Sequence, residues 1–184
     1  TQLTFSNPPA LACLPQVTPE RIRYHSYDGL EIPAFLYRPA RPNGAAILRP
    51  HGGPTDQWQF FWDPLAQYLV AKGYTFIAPN FRGSTGYGVD FEHANYDDWG
   101  MGDTQDCLHG ARYLRTLDWV QPDKIGIFGS SYGGYMVACC LARDPDYLFA
   151  CGVSKYGDAE LYSSWALCER ETRLYTEMQV GHPT

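Results

Sequence analysis

The chain has 184 residues, 45% hydrophobic and 15% aromatic, enough for one domain with a sizeable core and too few for two comfortable ones. A formal charge of −6, with no basic cluster to offset it, argues against nucleic acid or an anionic membrane as partner. The longest strictly apolar run, Met136 to Ala142, is too short to span a bilayer, and the first basic residue is Arg21, so no secretory signal is read and a cytoplasmic location is expected.

Residues 1–20 carry Pro8, Pro9, Pro15 and Pro19 with little periodicity, and read as a linker or entry segment. Arg21 to Tyr27 and Leu30 to Tyr37 then flank Asp28-Gly29, the strongest short hairpin signal a sequence offers. Ala45 to Leu48 is a short apolar strand that runs into Arg49-Pro50-His51-Gly52-Gly53-Pro54. A helix follows with clear punctuation. Asp63 can cap it, Pro64 suits its first position, Leu65, Leu69 and Val70 give an apolar face, and Gly73 ends it.

Tyr74 to Ala78 is the next strand, followed by the glycine-rich loop NFRGSTGYG over 80–88. A second helix is expected from about Asp103 to Val120, with Leu108, Ala111, Leu114 and Leu117 recurring on one side. Lys124 to Phe128 reads as a buried strand, Tyr132 to Arg143 as a helix and Phe149 to Ser154 as a further strand, and the remainder reads as loop and helix. No internal repeat or low-complexity tract interrupts the order. Strands alternating with helices imply a mainly parallel sheet covered on both faces, a doubly wound α/β fold. Ligands of such sheets bind at the carboxyl ends of the strands. His51-Gly52-Gly53, NFRGSTGYG and Ser131 all fall there.

The six cysteines, at 13, 107, 139, 140, 151 and 168, are too sparse for a disulfide scaffold, and reduced thiols are expected. Cys107-x-His109 has no second pair to complete a tetrahedral set, so no metal site is expected, nor any cofactor.

In KIGIFGSSYGGYMVACC, Ser131 stands between Gly129 and Gly133. G-x-S-x-G alone is weak, and a plain glycine turn is its alternative. The context strengthens it, because Ile125, Ile127 and Phe128 make an entering strand and Tyr135, Met136, Val137 and Leu141 a leaving helix. A nucleophile at so sharp a turn needs neighbours without bulk, which Gly129 and Gly133 supply, while Gly134 lets the helix approach the sheet. The helix N-terminus then aims free N–H groups and a positive dipole end at the reacting oxygen. Acyl transfer needs two donors for the developing oxyanion. The N–H of Tyr132, next after the nucleophile, is one, and the Gly52-Gly53 loop is where the other is expected.

These stretches carry a resemblance. PERIRYHSYDGLEIPAFLYRP (19–39), RPHGGPTDQW (49–58), NFRGSTGYG (80–88) and GSSYGGYM (129–136) resemble the prolyl oligopeptidase family of serine peptidases, in particular its acylaminoacyl-peptidase and dipeptidyl-peptidase-like branch. The resemblance implies an α/β-hydrolase fold, with residues 21–184 as a partial hydrolase domain. Ser131 would attack a peptide carbonyl while the Gly53 and Tyr132 amides hold the oxyanion. It also implies an N-terminal β-propeller, whose last strand TQLTFSNPP (1–9) resembles.

A serine hydroxyl also needs a base and an orienting acid, which in this fold follow the serine in the order Asp, then His. The 53 residues after Ser131 leave room for one more strand and its connection, so acid and base are expected outside this chain. Asp158 and His182 are the local candidates, Asp158 reading better as a cap of the next helix and His51 as a brace of its loop. His25, His93 and His109 are assigned to a hairpin, a loop and a helix. The competing readings are a carboxylesterase sharing Ser131 and a non-catalytic assembly module. A sheet ending so early leaves an edge exposed, and self-association is expected.

Overall fold

Gly29, at a φ of 84°, lets the chain reverse, and the Asp28 carboxylate accepts from the Leu30 amide to hold the turn. The computed structural model describes residues 16–183, so most of the entry segment at 1–20 lies outside it. The reversal joins β1 (Glu20–His25) to β2 (Glu31–Tyr37) as an antiparallel pair. β3 (Ala46–Leu48), β4 (Thr75–Pro79), β5 (Ile125–Ser130) and β6 (Cys151–Lys155) follow. The order across the six-stranded sheet is β1-β2-β4-β3-β5-β6. β2 meets β4 antiparallel, and β3, β4, β5 and β6 run parallel.

Every residue of β4 is buried, as befits a central strand covered on both faces. One cover is α1 (Pro64–Ala71), packed through Ala66 and Val70 on Phe35, Tyr37, Phe76 and Ala78. Its cap is the expected one: Asp63 Oδ1 accepts from the amides of Leu65 (2.8 Å) and Ala66 (3.1 Å). Leu65 is only half-buried, and Ala66 takes the inward position expected of it. The other face carries α3 (Gly102–Arg115) and α4 (Tyr132–Ala142), joined in one core by Leu108, Ala111, Leu114, Met136 and Val137.

Several elements depart from expectation. The helix expected to reach Val120 ends at Arg115. The Thr116 hydroxyl bonds back to Tyr113 O (2.7 Å), and Leu117 and Val120 continue in tight turns whose amides reach back three residues, so the apolar spacing outlasts the helix. β6 begins two residues late because the Asp144 carboxylate takes the Leu148 and Phe149 amides into a turn first. A short helix α2 (Val89–His93) sits where a loop was expected around His93. Beyond β6 come α5 (Leu161–Leu167) and α6 (Arg170–Val180). The cap of α5 is Glu160, whose carboxylate accepts from Tyr162 and Ser163, and not Asp158. The hairpin is welded to the sheet from the other side by Arg82, which bonds Asp28 at the hairpin turn and Asp106 on α3.

Candidate active site

β5 ends and α4 begins at Ser131, with φ 55° and ψ −127°, a conformation that L-residues rarely adopt. Strain of this kind costs on the order of 1–3 kcal/mol and persists only where the surroundings over-determine it. Here they do. The Ser131 amide donates to Lys155 O (3.1 Å) at the end of β6, and Ser131 O accepts from Gly134 (2.8 Å) and Tyr135 (3.1 Å). The side chain is exposed.

The neighbouring glycines are needed for contact rather than for flexibility. A Cβ on Gly133 would stand 2.6 Å from Pro50 O and 2.9 Å from His51 O. One on Gly129 would overlap the Gly133 carbonyl, and one on Gly134 would lie 2.7 Å from Gly157 Cα. The elbow is thus pressed between the loop after β3 and the loop after β6.

The loop after β3 lies beside the serine. A Cβ on Gly52 would be 3.5 Å from Ser131 Cβ and 4.0 Å from its Oγ. Gly53 follows with φ 118°, open to glycine and strained for any other residue. A cavity of about 310 Å³ opens here, lined by Arg49, His51, Gly52, Asp56, Trp58 and Ser130. The Tyr132 amide belongs to the first turn of α4, whose N–H groups have no acceptor within the helix.

His51 braces this loop. Its Nδ1 lies 2.6 Å from Gly52 O and its Nε2 2.7 Å from Ser84 Oγ in the glycine-rich loop after β4. A carbonyl only accepts, so Nδ1 carries the proton, and Nε2 faces the Ser84 hydroxyl, whose single proton is shared with Phe81 O (2.6 Å). The ring stacks on Phe81 at 4.2 Å, and burial pushes its pKa down to about 4. Asn80 holds the same loop from below, accepting from the Trp58 amide (2.6 Å) and donating to Trp58 O (2.9 Å).

Two supports escaped the sequence reading. Tyr175 of α6 hydrogen-bonds the Thr55 hydroxyl (2.6 Å), and the buried Gln179 donates to the same oxygen (3.3 Å), so α6 fixes the residue after Pro54. Tyr132 is buried, and its hydroxyl donates to Asp103 of α3. Asp103 has no exposed surface, and burial raises its pKa to about 7. His182 lies by Trp165 (5.1 Å) and Glu177 (4.0 Å), and Asp158 is exposed, with no hydrogen bond to Ser131 among the described residues. Among the described residues no imidazole hydrogen-bonds Ser131. Five described cysteines are free thiols.

The chain matches the prolyl oligopeptidase family, peptidase S9, over residues 58–184. It is 32% identical over 167 residues to the dipeptidyl aminopeptidase BIII of Pseudoxanthomonas mexicana, covering 85% of this chain and 24% of that protein. It is 31% identical over 146 residues to the prolyl oligopeptidase A of Galerina marginata, covering 77% of this chain and 20% of that one. Among solved structures, an acylaminoacyl peptidase from Pyrococcus horikoshii superposes with a TM-score of 0.85 at 30% identity, over 94% of this chain and 28% of its own. The chain therefore spans about a quarter of the length of the relatives it matches.

Proposed function

The chain belongs to the prolyl oligopeptidase family and has an α/β-hydrolase fold, and we propose that it carries the nucleophile and oxyanion-binding half of a serine peptidase site. Ser131 Oγ attacks the acyl carbonyl of a peptide. The Tyr132 and Gly53 amides donate to the oxygen as it becomes an oxyanion, each contributing on the order of 3 kcal/mol to barrier lowering. The observation that carries this reading is the exposed, strained Ser131 at the β5–α4 junction with the Gly52-Gly53 loop packed against it.

The general base and its orienting acid are proposed to lie outside the described residues. His51 is fully engaged by Gly52 and Ser84 and held neutral, and His182 sits between Trp165 and Glu177. Similar proteins are named a dipeptidyl aminopeptidase and an acylaminoacyl peptidase, and acyl-peptide or dipeptidyl bonds are proposed here.

The test uses the full-length protein that carries this chain. A fluorophosphonate probe is expected to label Ser131, and Ser131→Ala to abolish both labelling and turnover of acyl-peptide anilides. Near-normal turnover by Ser131→Ala would put the nucleophile elsewhere. Hydrolysis of activated esters without peptides would favour the carboxylesterase reading instead.

A further inference from the structure

Ser131 is strained, and something must hold the residue next to it. Tyr132 is the first residue of α4, so its Cα carries both the amide proposed for the oxyanion and a ring driven into the core. The ring is caged by Phe81 (centroids 6.1 Å apart), Trp99 (5.0 Å) and Tyr135 (5.4 Å). Its hydroxyl donates to Asp103 and accepts from Asn95 Nδ2 (3.3 Å). Asp103 is itself fixed, since its carboxylate also accepts from the amides of Gly100 (3.3 Å) and Thr104 (2.7 Å).

From this geometry we infer that Asp103 is a positioning residue of the proposed catalytic elbow, acting through the Tyr132 hydroxyl to fix the Tyr132 amide and the strained Ser131 backbone before it. The inference rests on the proposed role of Ser131. A carboxylate is the fitting group for this place, because it can accept from three donors at once where an amide oxygen accepts two bonds and brings an N–H₂ that needs acceptors of its own. Its burial is costly, which makes it a poor choice for stability alone. The cage extends to the other side of the proposed site. Phe81 stacks on His51 of the oxyanion loop, and Trp99 meets Tyr175, which bonds Thr55. Both proposed oxyanion amides are thus set from one cluster of buried and half-buried aromatic rings, and Asp103 is its polar anchor on the elbow side.

A double-mutant cycle on the full-length enzyme tests this, with kcat and KM measured on an acyl-peptide anilide for the parent, Asp103→Asn, Tyr132→Phe and the double variant. Tyr132→Phe keeps the ring packing and removes only the hydroxyl, so it stays informative if Asp103→Asn folds poorly. Each single change is expected to lower kcat roughly tenfold with KM within about twofold, because a small misplacement of the donor is felt mainly in the transition state. The double variant is expected to be no worse than the poorer single one. Losses that multiply, or Tyr132→Phe with full kcat, would overturn the inference. Ser131→Ala run alongside separates the two readings. If it stays active the nucleophile assignment fails, whereas if it is dead and the Tyr132→Phe enzyme is fully active only the positioning role fails.

Discussion

Replacing Arg82 by methionine isolates the energetics that hold the hairpin to the sheet. The Arg82 side chain is 7% exposed and that of Asp106 is fully buried. Arg82 gives Asp106 two side-chain bonds of 2.9 Å and a backbone bond of 2.8 Å, and gives Asp28 bonds of 2.9 and 3.1 Å. In Arg82→Met the Asp28 carboxylate, 37% exposed, returns to water at little cost. Asp106 keeps only the Ser26 hydroxyl and the backbone amide, and a buried carboxylate stripped of its cation costs about 3–5 kcal/mol. With a urea slope of about 2 kcal/mol/M, the midpoint falls by about 2 M. Burial already raises the Asp106 pKa, and losing the cation raises it further. The folded variant therefore binds a proton more tightly than the unfolded chain, and its stability declines as pH climbs through that raised value. The deficit relative to the parent should be larger at pH 8 than at pH 5, read by urea unfolding with tryptophan fluorescence. Arg82→Met/Asp106→Leu removes both charges and is expected to recover most of the loss. A single-variant deficit below about 1 kcal/mol at pH 8, or no recovery in the double variant, would refute the reasoning.

Gly133→Ala drives a Cβ against two backbone carbonyls, Pro50 O and His51 O, which cannot rotate aside, so a loss of about 1–3 kcal/mol is expected in urea unfolding. Burial raises Asp103 to about 7, so between pH 4 and 7 its carboxyl holds a proton in the folded chain that it releases in the unfolded one, and the Asp103 contribution to stability falls with rising pH before levelling off above 7, opposed in the parent by His51, whose lowered pKa makes its own contribution rise. At 1.36 kcal/mol per pKa unit this amounts to on the order of 4 kcal/mol across the window, and the parent minus Asp103→Asn difference in unfolding free energy should trace it with His51 cancelling out. β6 is one of the two edge strands of the described sheet, with Val153 56% exposed, so the 184-residue chain by itself is expected to self-associate, and Val153→Lys to shift it toward monomer in sedimentation velocity.

What could be read from the sequence was what local chemistry dictates. Asp28-Gly29 makes a turn because one carboxylate and one positive φ suffice, Asp63-Pro64 starts a helix because the cap lies within three residues, and Gly129, Gly133 and Gly134 are forced by backbone contact at a single elbow. The supports were hidden by distance. Asp103 finds Tyr132 across 29 residues and Tyr175 finds Thr55 across 120, and no local pattern announces either bond. α2 offers no side-chain cap and only five residues of periodicity. One signal was nevertheless present. Asp103, Asp106, Cys107, Gly110, Ala111 and Leu114 fall on one stripe of α3, and all are buried. Two carboxylates on the apolar face of an amphipathic helix must each find a partner in the core or remain protonated. Asp106 found the guanidinium that welds the hairpin, and Asp103 found the tyrosine beside Ser131. The same helical turn that disrupts the hydrophobic pattern thus carries the polar groups that hold the fold on one side and the proposed site on the other.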